Sequence, residues 1–114
     1  MAAGTIASGR ACFMMKVHPS KLELYLAAHK HVWDEMLDAL RLAGWRDYSL
    51  FIDRSTGLVV GTVATADFAA AQAKMSEEDV NSEWQAAMAD WFVPVDGRVG
   101  PGEIVELEEY FHLE

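Results

Sequence analysis

The centre of the sequence holds two strand-like runs that are separated only by a short loop ending in glycine. Trp45–Asp53 and Leu58–Ala64 are rich in aromatic and β-branched residues, and Arg54–Gly57 between them has the composition of a turn. Strands joined so closely pair in antiparallel fashion. The sequence therefore predicts an antiparallel hairpin at the centre of the fold.

The segment before the hairpin reads as a strand followed by a helix. Ala11–Val17 is a short apolar run, and it ends where Pro19 restricts the backbone of the residue before it. Ser20 opens a capping-box pattern, and a helical spacing of apolar residues continues to Gly44. The sequence therefore predicts a first strand over Ala11–Val17 and one helix from about Lys21 to Ala43.

The segment after the hairpin is predicted to form two helices, a loop and a strand. Asp67 is a suitable N-cap for a short helix that continues to Met75, and a second helical pattern covers Glu78–Phe92. Prolines and glycines then mark a loop, and Ile104–Leu113 is predicted to close the fold as a strand. This order is that of a ferredoxin-like split βαβ domain, an α+β fold with helices on one face of an antiparallel sheet.

An open sheet face follows from this arrangement. Helices that lie on one side of a sheet leave the other side without a cover, and a second copy of the chain is a simple way to supply one. We therefore expect a homodimer whose two sheets pair face to face and enclose a barrel-like interior.

A single compact domain accommodates the whole pattern. The chain has 114 residues, of which 52% are hydrophobic, enough for one domain with a real core. Residues 1–10 lack the basic and apolar regions of a secretory signal and are expected to form a flexible leader to a domain over residues 11–114. No run approaches the roughly 20 apolar residues of a membrane-spanning helix. A soluble, cytoplasmic protein is expected.

The charge of the chain opposes binding to nucleic acid or to an anionic membrane. Its 18 acidic residues against 9 Lys and Arg give a formal net charge of −9, which repels phosphate groups. The single cysteine, Cys12, cannot close an intrachain disulfide and is expected to be a buried structural thiol. Because the sequence has no zinc-type spacing, phosphate loop or nucleophile signature, we expect no metal and no cofactor.

A histidine lies within the apolar stripe of the predicted long helix. At about 100° per residue, His29 falls near the middle of the stripe, with Tyr25 one turn before it and Trp33 one turn after it. These aromatic side chains form a candidate pocket wall. Helix geometry alone leaves two interpretations open, a hydrogen-bonded core histidine, which is the commoner case, and a catalytic residue. His31 projects to a different side of the helix, which argues against a metal site shared with His29.

Several stretches, taken in order, resemble the L-rhamnose mutarotase family. The family shows a helical Tyr-x-x-x-His-x-x-x-Trp-x-Glu, which this chain has from Tyr25 to Glu35, and a Gly-x-x-x-Tyr strand ending in Asp, which it has at Gly44–Asp53. A late helix containing Trp84 and the terminal stretch Tyr110–Leu113 also resemble family motifs. The resemblance extends from Ala11 to Leu113.

The resemblance implies an enzyme. Members of the family are dimeric ferredoxin-like barrels that interconvert the α and β anomers of a sugar, so it implies an aldose mutarotase, an isomerase acting on a monosaccharide without a cofactor. Carried over to this sequence, the helical proton donor is His29. The sugar-binding tyrosines are Tyr25 and Tyr48, and Trp84 is the first member of a tryptophan pair.

Two departures from the family leave the sugar open. Rhamnose members have Trp-Trp where this chain has Trp84-Gln85, and the loop over residues 93–102 lacks their Asn-Pro-Asp-Asn-Ser-Pro-like stretch. Glutamine replaces the stacking face of an indole with hydrogen-bonding groups, so Gln85 is a candidate substrate contact. L-rhamnose and L-fucose, both 6-deoxy-aldoses, remain as expected substrates. Asp34 stands where many members have proline.

Ring opening of a sugar suits these side chains. One proton must reach the ring oxygen while another leaves the anomeric hydroxyl, and histidine is the side chain whose ordinary pKa lies nearest to neutrality. The same fold class also contains monooxygenases and haem-binding enzymes, in which His29 would be an axial ligand. A non-catalytic module that binds small molecules is the remaining alternative.

Overall fold

The computed structural model describes residues 9–96, 100 and 103–114, and its strands form one five-stranded sheet. The order is β2-β3-β1-β4, with β5 also paired to β1, and neighbouring strands are antiparallel. This is the α+β arrangement predicted from the order of elements. The strands are β1 (Arg10–Val17), β2 (Arg46–Asp53), β3 (Leu58–Ala64), β4 (Phe92–Val93) and β5 (Val105–Leu107).

The far edge of β1 is shared by two short strands. β4 pairs with Lys16 and Val17, whereas β5 pairs with the opposite half of β1, from Cys12 to Met14. The prediction of one terminal strand over Ile104–Leu113 was wrong in extent, and so was the assignment of Phe92 to a helix. Phe92 becomes a strand residue by pairing with Val17, which is distant in sequence. The terminal strand is short because it runs towards the start of β1 at Arg10, beyond which the described chain has no strand to pair with.

The described part of the chain has four α-helices, and the prediction of one helix from Lys21 to Ala43 was wrong. The chain in this region forms two helices separated by a 3₁₀ turn at His29–His31 and by extended backbone at Val32 and Trp33. Ser20 is not the N-cap either, because it lies within a 3₁₀ turn whose cap is His18. The helices are α1 (Leu22–Ala28), α2 (Asp34–Leu42), α3 (Phe68–Ser76) and α4 (Asp79–Met88).

The break between α1 and α2 coincides with a side-chain hydrogen bond. The ring of His29 binds the carbonyl oxygen of Tyr25 at 2.9 Å, and that oxygen belongs to the last turn of α1. Histidine side chains commonly satisfy such terminal carbonyls. Asp34 and Glu35 then begin α2, where acidic residues are favoured by the helix dipole. His29 therefore ends one helix instead of lying in the middle of another.

The inner face of the sheet carries the core beneath the helices. Phe13, Val17, Val59 and Val63 are nearly inaccessible to solvent. Gly61 lies opposite Phe13 in the β1–β3 ladder, and the phenyl ring lies where a side chain at Gly61 would be. The hairpin turn also packs on β1, since the backbone N–H of Val17 donates to the carbonyl of Gly57 at 2.9 Å.

The outer face of the sheet has no helix over it in the described residues. The strand registers place an apolar row across this face, and Cys12 lies beside the row, half-buried rather than buried as expected. Within the described ranges, no helix is both long and apolar enough to cross a membrane. The apolar row consists of Phe51, Val60, Met14 and Val105.

The predicted leader over residues 1–10 lies mostly outside the described residues. Its last residue, Arg10, already begins β1, and its guanidinium group forms an ion pair with Glu109 at 2.8 Å.

Candidate functional site

A cavity of about 770 Å³ lies between the helices and the inner face of the sheet. Every helix contributes to its lining, together with β1, β2 and the chain that leads into β5. One side is open, because the lining includes exposed residues such as Ser76, Gln85 and Glu103. Of the residues predicted for the site, Tyr25, His29, Tyr48, Trp84 and Gln85 all line this cavity.

The hydrogen bond of His29 fixes which ring nitrogen is available for chemistry. A carbonyl oxygen only accepts, so the contact between Nδ1 and the Tyr25 carbonyl requires a hydrogen on Nδ1. Nε2 is therefore the nitrogen with the free lone pair in the neutral ring, and it makes no hydrogen bond to any described residue. The half-buried imidazole is held in place by this bond while its other nitrogen stays available to a ligand.

Two aromatic rings lie against the imidazole of His29. The ring of Tyr25 lies 4.4 Å from the imidazole between centroids, and the ring of Trp84 lies 5.6 Å away at an interplanar angle of 86°. Trp33 packs against Trp84 at 4.9 Å and 87°, but it is not one of the residues that line the cavity. The sequence placed Trp33 on a pocket wall; the extended backbone that follows the 3₁₀ turn instead places it behind Trp84.

The hydroxyl groups of Tyr25 and Tyr48 are available to a ligand. Neither makes a hydrogen bond within the described part of the chain, and no buried side-chain N or O atom there lacks a partner, so both oxygens reach accessible space in the cavity. Burial raises the pKa of Tyr25 to about 12. Burial also raises the pKa of Tyr48, with a smaller contribution from nearby Tyr25. Both phenols therefore stay protonated at neutral pH and can donate as well as accept.

The charge of the lining suits a neutral ligand. Among the described residues of the cavity wall there is no Lys or Arg, and Glu103 is the one carboxylate. Within all of the described ranges, no group of three or more His, Cys, Asp or Glu residues is placed to hold a metal ion. Sequence reasoning missed the polar lining residues Gln72, Ser76 and Asn81, because no local motif distinguishes them from solvated helix positions.

Comparisons with known proteins agree on one family. The family model described as L-rhamnose mutarotase matches residues 10–113. An L-rhamnose mutarotase of Burkholderia orbicola is 41% identical over 106 residues, which cover 90% of this chain and 95% of that protein. The crystal structure of an L-rhamnose mutarotase from Formosa agariphila superposes with a TM-score of 0.75 at 26% identity, covering 92% of this chain and 98% of that one.

A likeness to another class of enzyme concerns the fold. The crystal structure of an antibiotic biosynthesis monooxygenase superposes with a TM-score of 0.57 at 14% identity, covering 89% of this chain and 97% of that one. A similarity at this level establishes a shared ferredoxin-like architecture, which many activities use.

Proposed function

Since the chain belongs to the L-rhamnose mutarotase family, it is an aldose mutarotase, and we propose that it acts on L-rhamnose with His29 as the proton-transfer residue. The observation that carries the assignment of His29 is its geometry, with Nδ1 bound to a backbone carbonyl and Nε2 left for the cavity. The monooxygenase, haem-binding and non-catalytic alternatives are not favoured, because the family model and the relative at 41% identity are both described as L-rhamnose mutarotase. The likeness to a monooxygenase, at 14% identity, concerns the fold alone.

The proposed reaction begins with protonated His29. Nε2–H donates its proton to the ring oxygen of the pyranose as the bond between that oxygen and C1 breaks. The anomeric hydroxyl releases its proton to solvent at the open side of the cavity, which leaves the open-chain aldehyde. Rotation about the C1–C2 bond and reversal of the same steps give the other anomer. General acid–base catalysis of this kind contributes about 10²–10⁴-fold.

The neighbouring side chains support this chemistry in distinct ways. Tyr25 and Tyr48, both protonated at neutral pH, offer hydroxyls that orient the sugar as donors or acceptors. Trp84, 6% exposed and in contact with the imidazole, presents an apolar surface to the C–H groups of the sugar. Aliphatic and methionine side chains of α2, including Met36 and Leu40, give the 6-methyl group of a deoxysugar an apolar neighbour.

We expect the purified protein to accelerate the exchange between the anomers of L-rhamnose, measured by saturation-transfer NMR. L-fucose and other aldoses in the same panel test the choice of sugar, since Gln85 replaces an aromatic side chain of the rhamnose members. Faster exchange for L-fucose than for L-rhamnose would contradict the proposed substrate but not the reaction. No acceleration for any aldose would contradict the proposed function.

The proposal includes a homodimer that buries the outer face of the sheet. The apolar row supports it, because Phe51, Val60 and Met14 are adjacent on three strands and are exposed or half-buried, and a two-fold axis brings identical rows together. Val105, at the other end of the row, is already buried within one chain. Phe51, 60% exposed at one end of the row, is the side chain with the most surface to lose.

Sedimentation velocity should therefore show a species of twice the 12.6-kDa chain mass. Val60→Glu places a carboxylate in the middle of the apolar row and should produce a monomer, because burying an unpaired charge is costly. Leu42→Glu is the matched control, since Leu42 is 85% exposed at the end of α2. A monomeric wild type, or a V60E dimer as stable as the wild type, would contradict this part of the proposal.

The proposal also includes a cytoplasmic location and the absence of a nucleic-acid partner. The net charge of −9 supports the second point, because it repels a phosphate backbone. The location remains a prediction from the sequence.

A further inference from the structure

The carboxamide side chains of the protein all line one cavity. Gln72, Asn81 and Gln85 are the only Asn and Gln residues in the whole sequence, and each of them lines the cavity that contains His29. They come from α3 and α4, two helices of a chain in which 18 acidic residues outnumber 9 Lys and Arg. We call these three residues the amide cluster.

We propose that the amide cluster binds the sugar hydroxyls that take no part in ring opening, and so determines which aldose the enzyme accepts. The inference rests on the proposed function, because it assigns the recognition of the substrate to residues of the same cavity. Gln72 and Asn81 are thereby specificity-determining residues in addition to Gln85.

The chemistry of the amide suits a sugar. A carboxamide donates through its NH₂ and accepts through its oxygen, which is also what a sugar hydroxyl does. It carries no charge, so it does not attract ions in place of a neutral ligand. The described lining has no Lys or Arg, so it offers no positive charge to a sugar phosphate or a sugar acid, and this also favours a neutral sugar.

The amides are not committed to partners within the protein. The one contact inside the cluster, from Gln85 Nε2 to Asn81 Oδ1, is 3.5 Å long, at the upper limit for a hydrogen bond. Gln72 makes no hydrogen bond to any described residue, although it is half-buried. A partly desolvated amide without a partner gains more from a ligand hydroxyl than a fully solvated one does.

The two amides of α4 are also within reach of a sugar bound at His29. Asn81 and Gln85 stand one turn apart on α4, with Trp84 on the same side of the helix. Trp84 in turn contacts the imidazole of His29 at 5.6 Å between ring centroids. A ligand that occupies the space in front of this pair of rings therefore lies beside the amides of α4.

The test replaces amides by apolar side chains of similar size, in Asn81→Leu and Gln72→Met. We expect each variant to raise KM for anomer exchange roughly ten-fold, the effect of one lost hydrogen bond, with kcat little changed because the bond is present in both the ground and transition states. The ratio of kcat/KM between L-rhamnose and L-fucose should also shift. Glu83→Met is the matched control, because Glu83 is an exposed residue of α4 outside the cavity lining.

Two further measurements separate recognition from folding. Thermal unfolding shows whether a variant is intact, and Asn81→Gln, which keeps the amide, should recover part of the lost affinity. If wild type accelerates exchange but N81L and Q72M match E83M in KM and in sugar preference, the inference is wrong while the proposed function stands. A wild type without activity would overturn both.

Discussion

Replacing His29 with Ala should slow anomer exchange by about 10²–10⁴-fold, the usual contribution of a general acid or base. The imidazole is the group in the cavity whose free nitrogen, Nε2, is suited to exchanging a proton with the ring oxygen. Saturation-transfer NMR at fixed enzyme concentration measures the effect directly. His31→Ala provides the matched control, because His31 lies in the same 3₁₀ turn but is exposed and outside the lining.

A second variant distinguishes chemistry from structure, since His29 also binds the carbonyl of Tyr25. His29→Asn retains an N–H donor near the position of Nδ1 but has no group that exchanges protons near neutral pH. If the loss of rate came only from a disturbed helix end, Asn would restore it. Equal rates for wild type and H29A would remove His29 from the mechanism.

Gly57→Ala should cost about 3 kcal/mol or more of the free energy of unfolding, the sum of left-handed strain and steric overlap. Gly57 has φ of 81°, and an added Cβ would overlap the carbonyl oxygen of Val17 in β1. The neighbouring atoms are backbone, and Val17 is fully buried, so neither side of the contact yields easily. For a chain of this size the Tm should fall by roughly 10 °C or more.

Gly44→Ala is the control that isolates the steric term. Gly44 also has a positive φ, 93°, but the atom nearest to its added Cβ is the Thr65 hydroxyl oxygen at 3.9 Å, an ordinary contact. G44A should therefore lower the free energy of unfolding by only about 1 kcal/mol, because it introduces the left-handed strain without the steric overlap. Denaturant unfolding of both variants measures the difference, and equal losses would show that the turn can move away from β1.

The parts of the fold that could be predicted are those set by local chemistry. The turn at Arg54–Gly57 defines the central hairpin by itself, and the structure has its strands at Arg46–Asp53 and Leu58–Ala64. β4 could not be found in this way, because Phe92 becomes a strand residue only by pairing with Val17 of β1. A pairing partner so distant in sequence leaves no periodic signal in its own neighbourhood.

The break after α1 had a signal that the apolar stripe concealed. The stripe continues across His29–Trp33 as though one helix were present, whereas the acidic pair Asp34 and Glu35 is typical of a new helix start. The proline that many family members have at the position of Asp34 points the same way, since proline favours the first turn of a helix.

The same distinction applies to the candidate site, where sequence patterns identified some residues and only the packing of the helices identified others. Helix spacing and the resemblance both indicated Tyr25 and His29, and the resemblance added Tyr48 and Trp84. The structure brings these four residues to one cavity. Their roles remain predictions that the variants above test. Gln72 and Asn81 could not be selected from the sequence, because their proximity to the cavity depends on how α3 and α4 pack against the sheet.

The divided edge of β1 bears on how enzymes of this architecture change substrate. β4 and β5 anchor the chain to β1 at two separate points, and the chain that returns to β5 places Glu103 and Ile104 on the cavity wall. Substitutions at Glu103 and Ile104 thus alter the cavity wall without shifting the register of any strand. Evolution can remodel the approach to the proton-transfer residue while the scaffold that holds it stays constant.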